Sequence, residues 1–263
     1  MVEDIMKHFN ELSKDSVFNG DVVCYQHKNG YRFSIDSVLL ANSALHWKSA
    51  TILDMGCGCG IIGLILLYKN SANIHSIEGI EYQESLVKLA EINRRENSFE
   101  EKLKITHGDY VHIKNYFEAE TFSHVICNPP FFTVGSGRPN EQNEAYLARH
   151  QVVSTTADLA GSIAYVLKNK GNLTIIYPAD LAGKLISLLR QRNIEPKKLR
   201  PVYSYPEASS ASLALLECIK NGGVGMKILP PLYIYTRKNG EYSEEVQRMY
   251  TPATCATGDR HDC

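Results

Sequence analysis

From residue 51 onward, short apolar runs alternate with longer helical stretches in a regular order. Strands are predicted at 51–55, 75–81, 103–106, 122–127 and 172–177, where compact apolar, β-branched runs end in Gly, Asp, Glu or Pro. Helices are predicted between them at 60–69, 83–97, 155–168 and 179–193. Two further β-rich segments, 198–205 and 212–219, are expected to pair as antiparallel strands at the end of this core. The strand–helix–strand alternation implies an α/β fold with an open, mostly parallel, doubly wound sheet. Upstream, the segments 22–26 and 31–34 flank Asn29-Gly30 and predict a β-hairpin, after which Asp36 is expected to cap a short apolar helix over 37–46. The stretch 133–151 breaks the pattern. It is long, polar and rich in Gly, Asn and Glu, and its place just after the fourth strand suits a lid over a substrate.

Chemistry is concentrated where the predicted strands end. Asp54-Met55-Gly56-Cys57-Gly58-Cys59-Gly60 lies between the first strand and its helix. Three alternating glycines let the backbone turn sharply and approach a ligand closely, and the helix that follows points its unpaired N–H groups at the same place. Gly58, Gly60 and Gly63 also satisfy the G-x-G-x-x-G pattern of dinucleotide sites, which does not by itself say which nucleotide-like ligand is held. Glu81 ends the second strand, where a carboxylate can accept both ribose hydroxyls of either NAD or S-adenosylmethionine. Asp109 ends the third, placed to meet an adenine amino group. A carboxylate at Asp54 would repel a pyrophosphate but suits an ammonium and a sulfonium, which favours S-adenosylmethionine over NAD. The fourth strand runs into Asn128-Pro129-Pro130-Phe131. The prolines fix the backbone and remove two donors, so the carbonyls and the Asn128 amide can accept both protons of a planar amino group while Phe131 stacks on its ring.

Composition narrows the field without changing it. The hydrophobic fraction of 44% and charged fraction of 22% are ordinary for a globular domain, and 263 residues suffice for one large core. The net charge of -1 advertises no global field, so any nucleic-acid contact must come from a local patch. Such a patch is predicted at Lys184, Arg190, Arg192, Lys197, Lys198 and Arg200, with Arg149 and His150 beside the expected lid. Seven cysteines lack C-x-x-C or other metal-site spacing, so free thiols are expected and no metal is. The first fourteen residues lack an apolar signal core and no run is long enough for a membrane helix, so a cytoplasmic protein without a membrane partner is expected.

The glycine motif from Asp54 to Gly60, with Glu81, Asp109 and Asn128-Pro-Pro-Phe131, resembles class I S-adenosylmethionine-dependent methyltransferases of the amino-methylating branch. That branch includes adenine-N6, guanine-N2 and protein glutamine-N5 enzymes. Glutamine-N5 enzymes usually carry Tyr where this chain has Phe131, whereas the guanine-N2 branch also uses Phe. A closer resemblance extends over nearly the whole chain. Gln26, Gly30-Tyr31-Arg32-Phe33-Ser34, Asp36 and Leu39-Leu40-Ala41, then Arg149-His150, then Lys227 to Tyr235 and Gly240 to Val246, are similar to the bacterial tRNA1(Val) (adenine-37-N6)-methyltransferase group. Cys57 and Cys59 are not that group's commonest fillers of the glycine loop.

The resemblance implies a Rossmann-like, seven-stranded sheet with an antiparallel strand near its C-terminal edge. It also implies S-adenosylmethionine as cofactor and methylation of an adenine N6 in tRNA. Asn128, Pro129, Pro130 and Phe131 would form the catalytic turn. Tyr31, Phe33, Asp36, Asp54, Gly56, Gly58, Gly60, Glu81, Asp109 and Asn128 would line the cofactor, and Phe131, Arg149, His150, Lys197 and Lys198 would meet RNA. Residues 1–50 are expected to pack on the cofactor site, 51–221 to form the methyltransferase domain, 222–250 a C-terminal extension and 251–263 a tail. No obligate protein partner is evident, and monomer and homodimer remain equally open.

Overall fold

The computed structural model describes residues 12–29, 32–129 and 156–252. Pro130, Phe131, Tyr31, Arg149, His150 and the expected lid at 133–151 lie outside them.

The strands predicted between 51 and 219 all form. They are β3 (Ala50–Met55), β4 (Ile74–Glu81), β5 (Leu103–His107), β6 (Phe122–Cys127), β7 (Leu167–Pro178), β8 (Ile194–Tyr203) and β9 (Leu213–Lys220). They pair in the order β8-β9-β7-β6-β3-β4-β5. Only β9 runs against its neighbours, β7 and β8. Two two-residue strands, β10 (Lys227–Ile228) and β11 (Leu232–Tyr233), add to β8, so the C-terminal extension widens the expected sheet from seven to nine strands.

The helices cover both faces. On one face lie α1 (Ile35–Ser43), α2 (Ile61–Asn70) and α3 (Glu84–Glu96), packed on Ile52, Ile77 and Ile126. On the other lie α4 (Thr156–Val166) and α5 (Ala182–Gln191), packed on Leu53, Val125 and Cys127. The alternation of Ile52 and Leu53 between the two clusters is the two-residue period of a strand buried on both sides. A short α6 (Glu244–Met249) closes the chain, its Ser243 side chain accepting from the Val246 N–H. Among the described residues no helix is long and apolar enough to cross a membrane.

Three local expectations are corrected. A different hairpin forms: β2 (Val22–His27) pairs with the preceding β1 (Leu12–Val17), and the described residues 32–34 form no strand. Its turn runs through Phe18 and Asn19, both at positive φ, and Gly20 at φ 103°. The chain after Tyr31 instead crosses beside the hairpin. There the buried Gln26 accepts the Phe33 N–H at 2.7 Å and donates to Asp15 at 2.8 Å, which uses the donor a ladder would need. The cap of α1 is Ser34, whose hydroxyl accepts from the Asp36 N–H; Asp36 sits inside the first turn. Finally, α4 ends at Val166 and β7 begins at Leu167 rather than 172, with a register shift against β6 and Lys170 at φ 60°.

Candidate cofactor and acceptor site

Strand order reverses between β3 and β6, because β4 and β5 follow β3 in one direction while β7 follows β6 in the other. The C-terminal ends of β3 and β6 therefore open a crevice at the topological switch point, the place where open α/β sheets bind ligands. Asp54 and Asn128 stand at its two lips, with Met55 and Cys127 in register.

The glycine loop is built as the spacing predicts. Gly56, Gly58 and Gly60 take φ of 75°, 57° and 84°, a left-handed geometry that side chains adopt only with strain. The loop is tied to β4, since both Gly56 N–H and Cys57 N–H donate to the Ile80 carbonyl. A glycine in β4 is also required here: a Cβ on Gly79 would lie 2.8 Å from Cys57 Sγ. Glu81 is buried, yet the Gly58 N–H (3.0 Å) and the Gln83 N–H (2.9 Å) each donate to one of its oxygens. Each oxygen keeps a further lone pair, so the carboxylate is held ready for two more donors. Burial pushes its pKa up, while these N–H groups pull it down.

Asp54 differs. It is 1% exposed, and neither carboxylate oxygen has a hydrogen-bond partner. Burial and the like charge of Glu81 push its pKa up to about 8. A buried carboxylate without a donor is costly, and a cationic ligand beside it would remove that cost. The site thus fits a ligand with a positively charged end at Asp54 and a diol at Glu81. That is the chemistry of S-adenosylmethionine, and it opposes a pyrophosphate. Asp109 caps the turn Tyr110–Asn115, its Oδ1 accepting from the Val111 N–H at 2.8 Å, and remains partly exposed at the end of β5. Phe33 is half-buried against the core, and burial raises the pKa of Asp36.

Two residues not singled out in the sequence complete the site. Ser37, buried in α1, receives the Asn128 Nδ2–H at 3.3 Å, which leaves Asn128 Oδ1 turned to accept. Asn93, fully buried in α3, accepts the Tyr25 N–H at 2.6 Å and donates to the Cys59 carbonyl at 2.9 Å, joining β2 to the glycine loop. Asn93 continues the apolar stripe of Leu86, Leu89 and Ala90, and a polar residue in such a stripe is the signal that could have found it. Ser37 likewise lies on the buried face of α1.

Four members of the predicted basic segment are already engaged. Arg190 pairs with Glu195, Lys198 with Glu217 and Arg200 with Glu245, while Lys197 donates to the Gly223 carbonyl.

The methyltransferase small domain family matches residues 32–186, more than half of the chain. Relatives named tRNA1(Val) (adenine(37)-N6)-methyltransferase occur in several bacteria. The Shewanella frigidimarina protein is 30% identical over 62% of this chain and 64% of its own length, so the likeness spans under two thirds of that relative. Those of Aliivibrio salmonicida (27% identical, 72% and 77% covered) and Bacteroides thetaiotaomicron (23%, 86% and 93%) are matched over more. Among solved structures, a predicted O-methyltransferase from Agrobacterium tumefaciens superposes with a TM-score of 0.66 at 16% identity, over 82% of this chain and 95% of that one. P. horikoshii TYW2, solved in complex with MeSAdo, gives 0.57 at 12% over 81% and 72%. These two likenesses speak to the fold. The chain belongs to the methyltransferase small domain family, and with it to the class I methyltransferases whose cofactor is S-adenosylmethionine.

Proposed function

We propose that this protein methylates the N6 amine of an unpaired adenine in tRNA, the acceptor being the anticodon-loop adenine at position 37 of tRNA1(Val). The observation that carries the reading is the Asn128 amide, whose Nδ2 donates to Ser37 and whose Oδ1 is left as an acceptor. The names of the relatives support the acceptor.

S-adenosylmethionine, when bound, supplies an electrophilic methyl group on a sulfonium. Asp54 would hold its ammonium end, Glu81 its ribose hydroxyls and Asp109 its adenine, with Tyr31, Phe33 and Asp36 closing the pocket from the N-terminal side. The adenine amine is a weak nucleophile because its lone pair is delocalised into the ring. Asn128 Oδ1 and the Pro129 carbonyl would accept its two protons and draw the nitrogen toward tetrahedral geometry. The same oxygens stabilise the positive charge that develops on N6, so no strong base is needed. Phe131 would stack on the extruded base, a contact worth roughly 1–3 kcal/mol in single-strand binders, with Pro130 fixing the turn. An anticodon-loop base is already unpaired, which lowers the cost of extrusion. Arg149, His150, Lys197 and Lys198 are assigned to the RNA side. We take 51–221 as the catalytic domain, flanked by 1–50 and 222–250, with 251–263 as a tail. Five buried free cysteines support a reducing cytoplasm.

The test is mass spectrometry of nucleosides from unmodified tRNA incubated with protein and S-adenosylmethionine. New N6-methyladenosine is expected with the native chain and none with Asn128→Ala, although Asn128→Ala still binds S-adenosylhomocysteine. Near-native turnover by Asn128→Ala would sink its role. Cofactor binding without any methylated tRNA nucleoside would move the acceptor to rRNA or protein glutamine.

A further inference from the structure

A second recess lies on the α4 face of the sheet, and of the basic segment that the sequence singles out it takes only Arg192. It is a trough of about 440 Å3 between the turn Tyr110–Asn115 and α4, closed at one end by Arg192. Its walls carry three exposed basic side chains, His112, Lys114 and Arg192, against one carboxylate, Asp158. Among the described residues, neither Lys114 nor Arg192 enters an ion pair, in contrast to Arg190, Lys198 and Arg200. Lys114 Nζ is placed 5.3 Å from the centre of the Tyr165 ring, which positions the ammonium without neutralising it. The Arg192 guanidinium lies across Gly161, where a Cβ would meet it at 3.8 Å, so the helix surface is flat beneath it.

The trough is rigidly joined to the site. Its first wall starts at Asp109, and the buried Ser162 donates to the Tyr110 carbonyl at 2.7 Å, locking α4 against that wall. Because β7 is parallel to β6, α4 must run from the ligand-binding edge of the sheet back toward the opposite edge. The trough lies along this helix as it descends from the ligand-binding edge, with Lys114 and Arg192 on its walls. A guanidinium, an ammonium and an imidazole spaced along a channel match a chain of phosphodiesters, each cation meeting a separate anionic group.

We infer that this trough is a docking site for the phosphodiester backbone of the acceptor RNA, with Lys114 and Arg192 as its main contacts. The inference rests on the proposed RNA acceptor and adds where the strand leaving the site runs.

The experiment compares the full chain with Lys114→Glu/Arg192→Glu. Binding of fluorescein-labelled unmodified tRNA is read by anisotropy over a salt series, and methyl transfer and S-adenosylhomocysteine binding are measured in parallel. Lys48→Glu, just before β3 and outside the lining of the trough, controls for net charge. The double variant should weaken tRNA binding at least tenfold at about 0.1 M salt and flatten the log–log salt slope by roughly 1.5, from two lost contacts at about 0.7 each on a single strand. S-adenosylhomocysteine affinity should be unchanged, and Lys48→Glu should bind tRNA as the native chain does. Equal affinity and slope for the native chain and the double variant would overturn the inference while leaving the methylation result to stand. Displacement of tRNA by poly-glutamate at equal charge concentration would also overturn it, marking an acidic protein as the occupant. Weakened binding by the double variant, combined with no methylation by the native chain, would uphold the trough and defeat the adenine-N6 reading.

Discussion

Asp54→Asn should change how stability depends on pH, and the size of the effect follows from the site. The Asp54 carboxyl is buried without a donor and its pKa is pushed up to about 8, whereas in the unfolded chain it sits near the usual 3.8. A folded-state pKa above the unfolded value means that the native state holds the proton more tightly. The associated stability is complete below about pH 4 and is lost as pH rises through about 8. The loss is about 1.4 kcal/mol per pH unit, so between pH 5 and pH 7 the unliganded protein should lose at most about 3 kcal/mol from this residue. Asn cannot ionise. Its amide leaves buried donors unpaired at a cost of about 1–3 kcal/mol, but that cost does not vary with pH. The assay is urea denaturation of the unliganded protein at pH 5, 6, 7 and 8. The native chain should show a falling stability that Asp54→Asn lacks, and saturating S-adenosylhomocysteine should reduce the fall in the native chain. Parallel pH profiles for the two proteins would refute the assignment of an orphaned, ligand-seeking carboxylate.

Two further substitutions test residues that act through others. Ser37→Ala frees the Asn128 Nδ2–H and lets the amide rotate; kcat should fall about fivefold, matching a hydrogen bond of about 1 kcal/mol, with the cofactor Kd unchanged, as steady-state kinetics and calorimetry would show. Asn93→Ala strands the Tyr25 N–H and the Cys59 carbonyl, so urea denaturation should show a loss of about 3 kcal/mol and calorimetry a weaker cofactor affinity.

How much of this was legible in the sequence depended on whether the determinants were local. The glycine loop, Glu81 and Asp109 are each set by the end of one strand, and a strand end shows itself in a few neighbouring residues. β1 was invisible because Leu-Ser-Lys-Asp-Ser-Val carries little apolar alternation. It is fixed instead by its ladder with β2 and by Asp15, which receives both Gln26 and Arg32. The pairing within the basic segment was hidden for a related reason. Its charges look free in sequence because their carboxylate partners lie elsewhere, Glu217 on β9 for Lys198 and Glu245 on α6 for Arg200. By contrast, Lys114 belongs to no run, and only the fold brings it to one trough with Arg192 of that segment.

The arrangement also explains why an N-terminal hairpin accompanies a site that β3 to β6 could seemingly form alone. β2 reaches the glycine loop through Asn93, which holds the Cys59 carbonyl, and Cys24 Sγ lies 3.6 Å from Cys59 Sγ. The chain leaving β2 is held by Gln26 at Phe33, and two residues on it becomes the helix whose Ser37 orients Asn128. One continuous segment thus grips both the glycine loop and the turn at Asn128, the two parts proposed to hold the methyl donor and the amine. Transfer requires the donor carbon and the nucleophile to be held in line, and misplacement by about 1 Å can cost two orders of magnitude in rate. The glycine loop and the Asn128 turn lie just beyond the ends of two directly paired strands, so past that pairing they need a tie of their own. The span from β2 to α1 is the element that ties them together, so loosening it at Asn93 should disturb both binding and turnover, whereas loosening it at Ser37 should disturb turnover alone.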